Sequence, residues 1–106
     1  MVFEADLRLA RGADDSAPGG VVTVALCGHW QHEGACRWPH SNSVKTIGDT
    51  TSLRTVVIVD DATEAEVLSL METGLRTDAR WDLLACRSGP IRREEHALAT
   101  ALLRTH

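Results

Sequence analysis

Five side chains of the kinds that ligate transition metals fall between Cys27 and His40: Cys27, His29, His32, Cys36 and His40, spaced C-x-H-x-x-H-x-x-x-C-x-x-x-H. Thiolate sulfur and imidazole nitrogen suit Zn²⁺, and a tetrahedral site needs three or four of them. The cluster also constrains the backbone. His32, Cys36 and His40 are spaced four apart and would align on one helical face. Gly34 weakens such a helix and Pro39 would stop it before His40. A loop over about residues 27–40, tied to the end of a regular element, is therefore expected.

The ligand set read from this spacing is His29, His32, Cys36 and His40, with Cys27 as the alternate. Zn²⁺ is the expected cofactor, and another transition metal would fit the same ligand types. Four protein ligands would make a structural site that organises the loop around a small ligand or partner protein. Three ligands and a water would make a catalytic one. Glu33, beside His32, is the candidate general base for the catalytic version. Trp30 and Trp38 would anchor the loop to the core.

The flanking pattern supplies the elements. Phe3, Ala5, Leu7 and Leu9 alternate with Glu4, Asp6 and Arg8, the period of a strand with one buried and one wet face. Gly12–Gly20 is rich in turn residues. Val21–Cys27 (V-V-T-V-A-L-C) is apolar and β-branched, so it reads as a second strand. A polar connection over Ser41–Ser52 leads to Thr55–Asp60 (T-V-V-I-V-D), a continuous apolar run expected of a strand covered on both faces. Asp61 and Glu64 predict a capped helix with Ala65, Leu68, Met71 and Leu75 as its stripe and Gly74 near its end. Trp81–Cys86 reads as a fourth strand. Ser88-Gly89-Pro90 predicts the start of a last helix with Ile91, Leu98 and Leu102 inward.

The expected order is β-β-β-α-β-α in a single α+β domain spanning 1–106. It is a two-layer sandwich with a four-stranded mixed sheet and two helices mainly on one face. The third and fourth strands should form a parallel crossover. The wet face of the first strand is left exposed or available for a homodimer contact.

Composition narrows the function classes. A net charge of −4 without any basic run argues against nucleic acid and anionic membranes as partners. No apolar run reaches membrane-spanning length, and the first residues lack a secretory pattern. Three cysteines, an odd number, fit a reducing cytoplasm better than a disulfide scaffold.

A second chemistry lies near the last helix. Cys86-Arg87-Ser88-Gly89-Pro90-Ile91-Arg92 has the form C-x-x-G-x-x-R and resembles, over these seven residues, the phosphate-binding loop of cysteine-dependent phosphatases. The resemblance implies Cys86 as a thiolate nucleophile and Arg92 as the phosphate clamp. A helix N-terminus would lower the thiol's pKa and bind the anion. Ala85 and Arg93 depart from that family's usual residues, and Pro90 removes one amide from the cradle.

Overall fold

The computed structural model describes residues 1–27 and 38–105. The elements run β1 (Val2–Leu9), α1 (Ala17–Cys27), β2 (His40–Ile47), β3 (Thr50–Val57), α2 (Glu64–Arg76) and β4 (Trp81–Gly89). A 3₁₀ turn (Arg93–Glu95) then leads into α3 (His96–Thr105). The strands form one open sheet in the order β2-β3-β1-β4, every neighbouring pair antiparallel. The α+β class expected from the sequence holds. The mixed sheet does not: β3 and β4 run parallel to each other, but β1 lies between them and pairs antiparallel with both. In the same way β3 separates β1 from β2. These are two split β-α-β units, the topology called ferredoxin-like, with α3 added.

The largest correction concerns Val21–Cys27, which belongs to α1 and not to a strand. Its start carries helix signals. Asp14 Oδ1 accepts from the Ser16 amide at 2.9 Å and the Ser16 hydroxyl at 2.8 Å, and Pro18 occupies the first turn. Val22 and Leu26, four apart, enter the core, while Val21 and Ala25 face α2. Because Val24 is apolar too, the helix lacks a polar face and its period is hidden. Packing on both the sheet and α2 overrides the modest β preference of its valines.

The polar connection expected over Ser41–Ser52 is instead β2, a turn and the start of β3. Ile47 and Thr50 pair across Gly48-Asp49. Gly48 stands at φ +62° and Asp49 keeps negative φ, as a two-residue type II′ hairpin requires. β2 reads as polar because it is a sheet edge, half of it beyond the cover of α1. At the other edge, Asp6 pairs with Ala85 and Leu7 with Leu83, so Leu84 forms a bulge in β4.

Phe3, Ala5 and Leu7 of β1, Leu53 and Val57 of β3, Val22 and Leu26 of α1, and Val67, Met71 and Leu75 of α2 form the main core. The expected stripe of α2 holds at Leu68, Met71 and Leu75, but Ala65 is exposed and Val67 takes its place. The expected Asp61 cap shifts as well, because α2 begins at Glu64 after Thr63. Trp81 closes the core beneath α2, its indole N–H donating to Leu75 O at 2.9 Å.

The second face of the sheet carries Glu4, Asp6, Arg54 and Arg87, joined by ion pairs. The last helix lies on this face and starts later than the sequence suggested, since Gly89 remains in β4. Leu102 packs on Val2 and Val56, with Ile58 and Ile91 alongside, and Leu98 is largely exposed. The wet face of β1 is thus covered at one end by the chain's own segment. Among the described residues no helix is long and apolar enough to cross a membrane.

Candidate functional site

The described residues do not support the expected metal-binding function. Among the described residues no group of three or more His, Cys, Asp or Glu side chains is arranged to hold an ion. The premise fails as well, because the element before the loop is a helix and Cys27 is its last residue. His29, His32, Glu33 and Cys36 lie outside the described residues.

His40 opens β2 and is buried, serving a different purpose. Its Nδ1–H donates to Trp38 O at 3.1 Å, and its Nε2 lies 3.1 Å from Thr23 Oγ1. With both ring nitrogens engaged by protein oxygens, the imidazole holds β2 to α1. A zinc-binding function is therefore replaced by a structural role for the one described member of the set.

That role belongs to a longer, partly buried chain of hydrogen bonds. Thr55 Oγ1 donates to Asn42 Oδ1 at 2.7 Å, and Asn42 Nδ2 donates to Gly19 O and to Thr23 Oγ1, each at 3.1 Å. Thr23 Oγ1 thus lies between Asn42 Nδ2, from which it accepts, and His40 Nε2. No buried side-chain nitrogen or oxygen among the described residues lacks a partner.

The phosphatase-like reading of Cys86 and Arg92 is also corrected. Cys86 lies inside β4, paired with Ala5, and Gly89 is still strand. No loop wraps an anion there. Arg92 is extended, and a 3₁₀ turn separates it from the start of α3. The thiol's environment opposes the chemistry: burial, then the Glu72 carboxylate beside it, pushes the Cys86 pKa up. A nucleophilic cysteine needs the reverse shift. Cys86 should accordingly alkylate more slowly at pH 7.5 than an unstructured thiol, at a rate indifferent to added phosphate. Fast labelling that phosphate suppresses would contradict this geometry.

On the second face, Arg54 Nε and Nη2 donate to the two Glu95 oxygens at 2.8 and 2.6 Å, and Glu4 flanks the guanidinium at 3.1 Å. The Arg54 hydrogen bonds hold the Glu95 carboxyl down to about 2. The sign follows from linkage: the folded pKa is below the unfolded one. The pair's contribution is complete above the usual glutamate range and is lost as pH falls through about 2.

An open groove of about 520 Å³ runs along the α1–α2 seam. Its wall is Ala17, Gly20, Val21, Val24, Ala25 and Gly74, and its rim is Asp14, Ser16 and Arg80. Small residues create it. A Cβ on Gly74 would lie 3.3 Å from Val21 Cγ1 and 3.6 Å from Ala25 Cβ, so the helices meet closely there.

The rim charges are fixed in place. Hydrogen bonds from the Ser16 amide and hydroxyl hold the Asp14 carboxyl below its ordinary range. Arg80 is forked onto Asp78 at 2.9 and 2.7 Å, with its guanidinium 5.0 Å from the Trp81 ring centroid. Sequence reading misses this site because its wall has the composition of a strand; the signals are Gly19-Gly20 and Gly74, which let backbones approach. Compared with models of protein families, with curated proteins and with solved structures, the chain matches none.

Proposed function

We propose that this chain is a small-molecule-binding module whose site is the α1–α2 groove. The occupant is a small molecule with an apolar body and a polar end. The observation that carries the reading is the lining: a continuous apolar wall with one anion and one cation at its rim. Concave, mainly apolar surfaces with a few oriented polar groups are where such ligands bind. Val24, 45% exposed, supplies apolar area that the fold itself leaves open to solvent. We further place the chain in the cytoplasm, a reading supported by the odd number of cysteines and by the free Cys86 thiol.

A ligand-observed NMR screen of small amphiphiles, followed by amide mapping on labelled protein, tests this. Shifts should cluster at Ala17, Gly20–Ala25 and Gly74. Val24→Asp, at a position exposed enough to leave the fold intact, should weaken binding at least about 10-fold, roughly 1.4 kcal/mol. Hits that map elsewhere, or that bind Val24→Asp equally well, would overturn the assignment.

A further inference from the structure

We propose that α3 is an exchangeable occupant of a helix-docking surface on the second face of the sheet. The segment from Pro90 onward is held by a catch and a seat. The catch is Glu95 in the fork of Arg54; the seat is Val2, Val56 and Ile58, on which Leu102 and Ile91 rest.

Three observations make this segment separable. First, α3 contributes no strand to the sheet, whose ladders join β1 to β4 alone. Second, its apolar cluster shares no residue with the main core on the other face, so releasing it leaves the α1–α2 layer buried. Such independently packed elements open as local units below the global unfolding free energy. Third, the catch is charge-assisted and bidentate, which gives the surface a specific chemical complement instead of a merely greasy one.

The bound segment states what the surface recognises. Glu95 ends the 3₁₀ turn that leads into α3, and Leu102 follows seven residues later on the helix; both meet this face of the sheet. The partner class is an amphipathic helix entered through a turn that carries a carboxylate, with a leucine seven residues after it. Arg54 reads the carboxylate and the Val2–Val56 strip takes the leucine. Beside Arg54 that face carries Glu4, Asp6 and Arg87, paired with one another or with Arg54, then Arg8, paired with Asp49, and the exposed Lys45 on the edge strand β2. The cation that meets the carboxylate of the bound segment is Arg54. The surface lies on the opposite side of the sheet from the α1–α2 groove, so the two proposals stand or fall separately.

The test uses the full chain, labelled for NMR, and an unlabelled peptide of residues 90–106 as the probe. Wild type is compared with Glu95→Gln, which weakens the catch and leaves both cores untouched. In the wild type, amides of α3 should exchange at least about 100-fold faster than those of β1, and Glu95→Gln should speed α3 alone. The peptide should bind the Glu95→Gln chain at least 10-fold more tightly than the wild type, shifting Val2, Arg54 and Val56. A peptide carrying the same glutamine should bind it more weakly. The proposal is overturned if α3 is as protected as β1, if Glu95→Gln accelerates exchange everywhere, or if the peptide binds neither chain at millimolar concentration.

Discussion

Replacing Phe3 with alanine should lower the unfolding free energy by about 4 kcal/mol, a large fraction of the whole stability of a small domain. Phe3 is the only phenylalanine in the chain and is 2% exposed. It stands on β1 between Thr55 of β3 and Ser88 of β4, in the centre of the sheet, and points into the layer under α2. A buried aromatic ring removes roughly 200 Å² from water, about 5 kcal/mol of transfer energy by area, an upper bound because the unfolded chain is partly compact. The void adds to the loss, since neighbours on three elements cannot all collapse onto it. In a fold of this size the change corresponds to roughly 20 °C in Tm. Urea unfolding should show a lower midpoint with an unchanged slope. A loss under about 2 kcal/mol would mean the site relaxes in a way this packing does not suggest.

Asn42→Ala should cost about 3 kcal/mol even though it removes few atoms. The side chain joins three elements, accepting from Thr55 on β3 and donating to Gly19 and Thr23 on α1. Deleting it leaves the Thr55 hydroxyl, which is 0% exposed, without its acceptor. An unmet buried polar group costs more than the net gain of the bond it made. The pair therefore has a diagnostic cycle. Adding Thr55→Val to Asn42→Ala should cost at least about 1 kcal/mol less than Thr55→Val alone, because the orphaned hydroxyl disappears. Strict additivity in chemical denaturation would show that the two side chains do not act as a unit.

These two residues also show what kind of information each level held. Phe3 sits in an alternation that reads as a strand because one face of β1 meets the core and the other carries Glu4, Asp6 and Arg8. Two different environments on two faces write a period into the sequence. The stripe of α2 is legible for the same reason. By contrast, α1 contacts the sheet, α2 and solvent with apolar side chains on every side, so no period survives. β2 fails for the opposite reason: as an edge strand its two faces are both largely polar, and Ile47 is 67% exposed. Intrinsic propensity is not the obstacle in either element; each lacks the contrast between faces on which pattern reading depends.

The functional residues divide along the same line. Histidine and cysteine spacing suggested chemistry because ligand types are visible one residue at a time. Whether a nitrogen is free depends on what folds against it, and His40 is engaged by Trp38 and Thr23. Cys86 likewise matched a short pattern, yet β4 carries it as a strand residue beside Glu72, which opposes thiolate formation. The α1–α2 groove has no marker residue at all; Gly74 leaves out a side chain where the two helices meet, and Gly20 lines the wall.

The sequence by itself determined the α+β class, β1, α2, β4 and the core residues Phe3, Leu7, Met71 and Leu75. Those follow from local periodicity, which burial on one side imposes directly on composition. Tertiary structure alone decided that Val21–Cys27 is helix, that β1 lies between β3 and β4, and that His40 serves a partly buried hydrogen-bond chain. Those outcomes rest on contacts between residues far apart in the chain, whose energies no stretch of neighbouring residues records.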